Sequence, residues 1–420
     1  MKVLHLPAET GTGHNMRVLA VATKLRELFP HAEQHVHLAS KSEVFRPMFE
    51  AQDVRVHLAA TERDHANTSQ LGRSFDWHTY VSGYLDRTFI SGDKMLRALA
   101  LINETRPDVV VSDYNIAASL AAETAGVPHV LITERYDFTL GQVSNDALAA
   151  AGFDVTPAEV DAARSALTTL FDWVTRRAHA VLTDKPPVEE LDLGTPVLRA
   201  IAAGNGHFVG PIVRDACAAE PAPRAEVDER YGLGGAPYVL AGVGGTAMFA
   251  ANKERLLAHY LEAFGKLRAE HPDARLVLIG RQEFTEEIDG VVLLNYVTDW
   301  HSLVRHAHLV LSPPGWISVT ELAVMRTPVA YVLSGRDEYH EIEAMSRLRL
   351  LGYTTVTEPD AQALLDILRT AFRTPEDFAR TAEGAARIIA PNGNGAEVAA
   401  KLVAQAATTA RIHREDATAA

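Results

Sequence analysis

Two residues able to move a proton stand where apolar strands of this sequence are predicted to end. The segment 9–17 follows the first apolar run and contains Gly-Thr-Gly-His, which sets His14 directly before a predicted helix. Asp113 ends another run, Val-Val-Val-Ser-Asp. An imidazole takes up protons near neutral pH, and a neighbouring carboxylate stabilises its charged form. His14 and Asp113 are therefore candidates for a general base and the acid that orients it.

Both residues also have an ordinary structural explanation. A histidine in this place is able to cap the helix or to face solvent, and the chain has 18 histidines. Aspartate is a strong N-cap residue, so Asp113 is equally expected to cap the helix after its strand. The two side chains meet only if the parallel order of strands places their two strands side by side.

Glycine-rich turns in the second half are suited to a phosphate. Gly-Val-Gly-Gly-Thr at 242–246 follows one strand, and Pro-Pro-Gly-Trp-Ile-Ser at 313–318 follows another. A turn that leads straight into a helix leaves backbone N–H groups unpaired, and these favour a phosphate or diphosphate. Glu321 is electrostatically favoured early in that helix and is equally able to accept hydrogen bonds from ribose hydroxyls. A third loop, 334–340, follows the next strand.

A nicotinamide or flavin dinucleotide is not favoured by the first loop. Its Gly-x-Gly is typical of the dinucleotide fingerprint, but Met16 stands at the third glycine position. The second strand, Val-His-Leu-Ala-Ser, does not end in an acidic residue. Two of the requirements for dinucleotide binding therefore fail.

Size and composition indicate a globular protein of two domains. The chain has 420 residues, of which 47% are hydrophobic and 22% charged, and a formal charge of −14. This charge argues against nucleic acid or an anionic membrane as the main partner. The amino terminus predicts a first strand and not a signal peptide. With no apolar run of about 20 residues, a cytoplasmic protein is expected.

A single cysteine limits what can stabilise the fold. Cys217 cannot form an internal disulfide, and the sequence argument excludes a cysteine-based metal site. Its neighbours, Arg-Asp-Ala before and Ala-Ala-Glu after, predict an inert thiol in a linker. Histidines separated by one residue, as in His-Val-His and His-Ala-His, are weak indications of a metal. The sequence therefore predicts that no metal is bound.

Short apolar runs alternate with amphipathic helical patterns through most of the chain. Runs that are apolar throughout and separated by helices predict parallel strands covered on both faces. The predicted fold is α/β, with two doubly wound Rossmann-like domains that face each other across a cleft. The predicted strands are 3–6, 36–38, 54–58, 109–111, 130–132, 181–182, 238–241, 276–279, 291–294, 309–311 and 329–333.

A proline-rich, small-residue stretch marks the junction between the domains. The predicted organisation is an N-terminal domain over 1–208, a linker over 209–227, a C-terminal domain over 228–392, a helix over 393–411 that packs back on the N-terminal domain, and a frayed tail over 412–420. The region 61–92 carries aromatic residues that predict either a wall over the cleft or a small separate core.

Taken in order, these motifs resemble the GT-B superfamily of nucleotide-sugar glycosyltransferases. The most similar branch is the inverting one, which includes the bacterial peptidoglycan N-acetylglucosaminyltransferase and the antibiotic and plant-type small-molecule glycosyltransferases. The resemblance rests on Gly-Thr-Gly-His at 11–14, Ser-Asp at 112–113, Val-Gly-Pro-Ile at 209–212, Asn-Tyr-Val at 295–297, the stretch 312–321 and Thr-Pro-Val at 327–329.

The resemblance implies an inverting transfer to a small-molecule acceptor, with a UDP-, dTDP- or GDP-linked sugar as co-substrate and no other cofactor. It implies a monomer or homodimer, with His14 as the base and Asp113 as its partner. The implied donor-binding residues are Gly244, Gly245, Thr246, Tyr296, Val297, Gly315, Trp316, Ser318, Glu321, Asp337, Glu338 and His340. The implied acceptor-binding residues are Gly13, Trp77, Tyr80, Tyr136 and Phe138.

The sequence departs from that family at three positions. Pro313 stands where many relatives have histidine or arginine, His340 replaces a glutamine, and Glu343 replaces an asparagine. A non-catalytic nucleotide-sugar-binding subunit of a partner enzyme is therefore an alternative. Two sister activities fit less well. Retaining members carry a glutamate eight residues before Glu321, where this chain has proline, and 2-epimerases carry consecutive glutamates where it has Val-Thr-Glu-Leu.

Overall fold

The computed structural model describes most of the chain as two compact units. The described residues are 1–9, 12–59, 91–138, 144–146, 156–243, 250–280, 288–294, 297, 300–335 and 339–419. The first unit contains the described residues up to Arg214 together with those from Asn394 onward, and the second contains Asp215–Gly393. The predictions for Trp77, Tyr80, Gly244, Gly245, Thr246, Tyr296, Asp337 and Glu338 fall outside the described residues.

A seven-stranded parallel sheet forms the centre of the first unit. Its order is β3-β2-β1-β4-β5-β6-β7, so the direction in which strands are added reverses between β1 and β4. The strands are β1 (Lys2–Pro7), β2 (Glu33–Leu38), β3 (Val54–Leu58), β4 (Val109–Asp113), β5 (His129–Ile132), β6 (Ala180–Thr183) and β7 (Gly206–Phe208). In a doubly wound sheet such a reversal opens a crevice at the carboxyl ends of the strands, where ligands bind.

Helices connect these strands. They are α1 (Gly13–Leu28), α2 (Arg46–Glu50), α3 (Gly92–Thr105), α4 (Ile116–Thr124), α5 (Pro157–Arg177), α6 (Glu189–Asp192) and α7 (Pro196–Ala203), with a 3₁₀ turn at Ser40–Phe45. The central strands are buried along their whole length, which matches their uninterrupted apolar runs.

The second unit has a six-stranded parallel sheet of the same kind. Its order is β10-β9-β8-β11-β12-β13, with the reversal between β8 and β11. The strands are β8 (Tyr238–Gly242), β9 (Arg275–Ile279), β10 (Val291–Leu294), β11 (Leu309–Ser312), β12 (Val329–Val332) and β13 (Thr354–Val356). The helices are α8 (Arg224–Tyr231), α9 (Ala250–Glu270), α10 (Trp300–Arg305), α11 (Trp316–Met325), α12 (Tyr339–Leu350), α13 (Ala361–Arg373) and α14 (Pro375–Ile389), with a 3₁₀ turn at Asp215–Cys217.

The helix that follows the second unit belongs to the first. Helix α15 (Ala396–Ala419) packs on α1 and on strands β4, β5 and β6. Its buried face is made mostly of alanine, so the helix lies close to the sheet. The chain enters it through a tight junction: Gly395 N donates to Pro211 O at 2.6 Å, and a Cβ at Gly395 would stand 2.2 Å from Val209 O. Among the described residues, none of the helices has the length and hydrophobicity needed to span a bilayer.

The predicted α/β class with two doubly wound parallel sheets is confirmed, and each predicted strand coincides with an observed one. Strands β7 and β13 were not predicted, because both are short edge strands, each with a single bulky apolar residue. Two boundary predictions need correction. Residues 209–227 include a 3₁₀ turn and the first half of α8, and α15 continues through the predicted frayed tail to Ala419.

Candidate functional site

Two adjacent strands bring His14 and Asp113 together in the first unit. Strands β1 and β4 pair in parallel, with Pro7 opposite Asp113, and the Ala8 amide donates to Asp113 O at 2.9 Å. The chain then turns into α1, whose first turn carries His14. The His14 Nδ1 atom lies 2.8 Å from Asp113 Oδ1. The pair therefore occupies the carboxyl edge of the sheet at the point where its strand order reverses.

The structure shows that Asp113 does not cap the helix after its strand. Helix α4 is capped by Asn115, whose side chain accepts from the Ala118 amide at 3.1 Å. Asp113 itself is fully buried and faces α1. The side chain of His14 is 12% exposed. The ring therefore contacts a buried carboxylate on one side and still reaches solvent.

The residue after Asp113, Tyr114, stacks its ring on the imidazole of His14. Tyr114 has a φ of +46°, a left-handed conformation that is uncommon for a residue other than glycine and is often found at functional sites. Its buried ring lies parallel to that of His14, with 6.3 Å between centroids. This arrangement anchors the imidazole to the core of the unit.

The predicted acceptor residues Tyr136 and Phe138 belong to that core. Tyr136 is fully buried and donates its hydroxyl hydrogen to Lys185 O at 2.8 Å. Phe138 is 1% exposed and contacts the rings of Tyr114 and Phe171. Neither ring presents a surface to a ligand in this structure, so the sequence prediction for these two is corrected. Gly13, the first residue of α1, is half-buried beside His14.

Arg17 is the main residue that the sequence prediction missed. It lies one turn after His14 on α1 and is fully buried. Its Nε donates to Asp113 Oδ2 at 2.9 Å and its Nη2 to Oδ1 at 2.7 Å, a bidentate pair. Nη2 also lies 2.9 Å from His14 Nδ1. The guanidinium therefore contacts both members of the predicted catalytic pair.

Two further carboxylates face the same guanidinium from the next strands. Glu134 pairs with Arg17 Nη1, and Asp184 Oδ2 lies 3.6 Å from the same atom. Glu134 follows β5 and Asp184 follows β6, so with Asp113 at the end of β4 three consecutive strands each supply one acid. We call Arg17, Asp113, Glu134 and Asp184 the buried acid cluster, in which Glu134, with 19% of its side chain exposed, is the member nearest to solvent.

The cluster contains more carboxylates than one guanidinium can satisfy. Burial alone would raise the pKa of Asp113 and of Glu134, but the positive charges of Arg17 and His14 outweigh it and lower both. At Asp184 burial prevails and raises the pKa to about 7, although Arg17 opposes it. The geometry explains the difference, because neither oxygen of Asp184 has a hydrogen-bond partner among the described residues.

This raised pKa predicts a stability that depends on pH. The folded protein keeps the Asp184 proton up to about pH 7, whereas the unfolded chain releases it near 3.8. The stabilising contribution is therefore complete below pH 3.8 and is lost as the pH rises through 7. D184N lacks this dependence. The unfolding free energy of D184N minus that of the wild type should therefore increase by about 2–3 kcal/mol between pH 5 and pH 8. Urea unfolding at both pH values measures this gain.

The buried D137N variant is the control for this measurement, because Asp137 accepts hydrogen bonds from Thr168 and the Phe138 amide and belongs to another network. A difference between D184N and the wild type that stays constant over this pH range would contradict the expectation.

A repeated sequence pattern marks two acids of the cluster. Strand β5 is followed by Thr-Glu-Arg, and β6 ends on the threonine of Thr-Asp-Lys. In each case the threonine hydroxyl accepts from the amide two residues later, Arg135 N at 3.0 Å and Lys185 N at 3.2 Å. The same small turn therefore directs Glu134 and Asp184. The repetition was visible in the sequence and would have indicated both acids.

In the second unit, the predicted phosphate-binding turn opens a helix. Helix α11 begins at Trp316, and Gly315 is its exposed N-cap residue. Among the described residues no side chain caps this helix, and its first amides have no partner within the helix. Pro313 and Pro314 are buried and Ser318 is half-buried. The opening of α11 therefore has the geometry that favours an anion.

Glu321 lies deeper on α11 than expected. It is 4% exposed, and one of its carboxylate oxygens, Cys217 Sγ and a ring nitrogen of His301 all lie within 4.8 Å of one another. Cys217 is fully buried in the 3₁₀ turn, which corrects its prediction as part of an exposed linker. Thiolate, imidazole and carboxylate are zinc ligands, so one cysteine does not by itself exclude a metal, contrary to the sequence argument.

A buried carboxylate fixes the start of the third predicted loop. Glu341 on α12 accepts hydrogen bonds from the Ser334 amide at 2.8 Å and the Ser334 hydroxyl at 2.9 Å. Burial raises the pKa of Glu341 to about 7. His340 precedes it on the same helix, and Val297, half-buried, follows β10.

Comparison with known proteins gives matches among solved structures. No family model and no curated protein sequence matches this chain. CalG4, the calicheamicin glycosyltransferase, superposes with a TM-score of 0.65 at 17% identity, covering 96% of this chain and 97% of its own. The glycosyltransferase VinC, in complex with dTDP, gives 0.59 at 16% identity and covers 97% and 100%.

An epimerase has the same architecture. The UDP-GlcNAc 2-epimerase from Neisseria meningitidis, bound to UDP-GlcNAc, gives a TM-score of 0.61 at 12% identity and covers 96% of this chain and 100% of its own. These identities are low, so what they establish is the fold. The two α/β units of this chain have the GT-B fold, which they share with these glycosyltransferases and this epimerase.

Proposed function

We propose that this protein is an inverting glycosyltransferase that moves a sugar from a nucleoside diphosphate sugar to a small-molecule acceptor. The observation that carries the proposal is the 2.8 Å contact between His14 Nδ1 and Asp113 Oδ1 at the strand-order reversal of the first unit. In this arrangement the second ring nitrogen, Nε2, is the atom that meets the acceptor, since Nδ1 faces the buried carboxylate.

In the proposed reaction, His14 Nε2 removes a proton from the acceptor nucleophile as that atom attacks the anomeric carbon of the donor. The bond between this carbon and the diphosphate oxygen breaks, and its electron pair leaves with the nucleoside diphosphate. Attack from the face opposite the leaving group inverts the anomeric configuration. Asp113 stabilises the imidazolium that forms, which is the role of the acid that orients a base.

The second unit supplies groups that suit the leaving diphosphate. The N–H groups at the opening of α11 point along the helix axis and stabilise negative charge there. Donors that are already in place when charge develops contribute a few kcal/mol each to the rate in other enzymes. Glu321 is the proposed ribose-binding residue, and no step of this mechanism uses a metal.

Two other functions on this fold fit the chain less well. The 2-epimerases share the architecture, but Val-Thr-Glu-Leu stands where that class has consecutive glutamates. A non-catalytic nucleotide-sugar-binding subunit is the second candidate, because buried Pro313 offers the diphosphate no charged side chain. The ordered pair of His14 and Asp113 favours the enzyme, because a binding subunit has no need of a base.

A thermal-shift panel of UDP, dTDP and GDP tests the donor-binding part of the proposal. We expect one nucleotide to raise the melting temperature selectively. A ligand present at 100 times its dissociation constant stabilises the folded state by about 2.7 kcal/mol. E321Q should weaken this shift, whereas E376Q, at an exposed position in the first turn of α14, should leave it unchanged. Equal or absent shifts with all three nucleotides at millimolar concentration would contradict the proposal.

A further inference from the structure

The nitrogen that faces inward on His14 has two competing neighbours. Nδ1 lies 2.8 Å from Asp113 Oδ1, a hydrogen-bond acceptor, and 2.9 Å from Arg17 Nη2, a permanent donor. If Nδ1 carries the ring hydrogen, it donates to Asp113 and leaves Nε2 as a lone pair. If Arg17 donates to Nδ1, the ring hydrogen sits on Nε2. Only in the first tautomer is Nε2 able to take a proton from the nucleophile of the sugar acceptor.

The position of Arg17 therefore decides which tautomer is favoured. Nη2 carries two hydrogens: one donates to Asp113 Oδ1, at 2.7 Å, and the other is able to donate to His14 Nδ1 when that nitrogen has no hydrogen of its own. The other end of the guanidinium, Nη1, faces Glu134 and Asp184, which lie beyond β5 and β6. Charge on these two acids draws Nη1 towards β6. Any rotation of the planar guanidinium that follows changes the distance and the angle between Nη2 and His14 Nδ1.

Asp184 is the acid in this cluster whose charge varies in the neutral range. It is fully buried, and neither of its oxygens has a hydrogen-bond partner among the described residues. The charged groups that face it are Arg17 on α1, Asp113 on β4, Glu134 after β5 and its neighbour Lys185. Burial raises the pKa of Asp184 to about 7, so its charge changes near the pH at which a histidine base works.

We propose that Asp184 is a positioning residue which, through the guanidinium of Arg17, selects the tautomer of His14 that leaves Nε2 free. This inference rests on the proposed function for its catalytic meaning, but the tautomer is a property of the protein alone. When Asp184 is ionised, it holds Nη1 and adds negative charge on the inner side of the His14 ring, which favours the ring hydrogen on Nδ1, where it donates to Asp113 Oδ1.

Nitrogen NMR of the His14 ring tests the proposal without any substrate. In full-length protein labelled with ¹⁵N-histidine at pH 8, we expect the wild type to show hydrogen on Nδ1 and a lone pair on Nε2. In D184N the two ring resonances should move in opposite directions, towards hydrogen on Nε2. E134Q removes charge from the same side of Arg17 and should move them in the same sense, which provides a second variant if D184N does not fold.

The D137N variant is the matched control, because it makes the same chemical change at a buried aspartate outside the cluster and should leave both ring resonances in place. His14 resonances that are the same in the wild type, D184N and E134Q would overturn the proposal. If the His14 resonances shift as expected in D184N and E134Q but the wild type transfers no sugar, this inference stands and the proposed function is contradicted.

Discussion

Replacement of His14 by alanine is expected to lower the rate of sugar transfer by about 10²–10⁴-fold, the usual contribution of a positioned general base. Nucleotide binding should be retained, because the proposed nucleotide-binding groups lie in the second unit, whereas His14 lies on α1 of the first. The measurement is the release of nucleoside diphosphate from the donor class chosen by the thermal-shift panel, in the presence and absence of small-molecule acceptors. The same nucleotide's effect on melting temperature measures binding in parallel.

The control for this variant is H31A, because His31 is exposed in the turn before β2 and lies outside the buried acid cluster. It should keep both activity and binding. If H14A turned over as fast as the wild type, His14 would not be the base. If neither protein turned over any donor while both bound nucleotide, the non-catalytic alternative would be favoured.

Replacement of Arg17 by methionine is expected to have the largest effect on stability. Methionine has a similar length but no charge, so the buried Asp113 and the half-buried Glu134 would be left without their cation. Removal of one partner from a buried ion pair costs about 3–5 kcal/mol. Urea unfolding at pH 7 should therefore show a loss of this size. The control is R46M, which removes an exposed arginine paired with Glu50 four residues later and should leave the unfolding free energy nearly unchanged.

The dependence of this loss on pH gives a second test. In the wild type Arg17 holds the pKa of Asp113 and Glu134 below the ordinary range. The stability that these two acids contribute is therefore complete above the pKa of the unfolded chain and is lost as the pH falls through the lower folded value. In R17M the acids are expected to take up protons at higher pH, so the variant should approach the wild type as the solution is acidified. A deficit that does not change with pH would contradict this explanation.

The fold was predictable because its signals are local. Each buried strand is a short apolar run bounded by a glycine, a proline or a polar residue, and parallel strands buried on both faces produce that pattern. The placement of His14 and Asp113 followed as well, since the carboxyl ends of parallel strands share one edge of a sheet. What the sequence did not reveal is that β1 and β4 are neighbours, because strand order depends on packing between distant segments.

The buried acid cluster was not predicted, because its members come from four separate segments. Arg17 on a helical pattern has the ordinary interpretation of an exposed charge, and its burial follows only from the position of α1 over β4. Tyr136 and Phe138 fail for the opposite reason: aromatic residues after a strand suit a ligand or a core equally well. The contact of Phe138 with Tyr114 and the buried hydrogen bond of Tyr136 to Lys185 O decide for the core.

The return of α15 to the first unit has a consequence for synthesis on the ribosome. Residues 394–419 emerge only after the whole of the second unit, yet they cover β4, β5 and β6, from whose ends the acids beside His14 project. The second unit is nearly continuous in sequence and is able to fold while the first unit still lacks α15, the helix that covers its central strands. Truncation upstream of Ala396, although it falls next to the unit proposed to bind the nucleotide, should therefore damage the unit that carries His14.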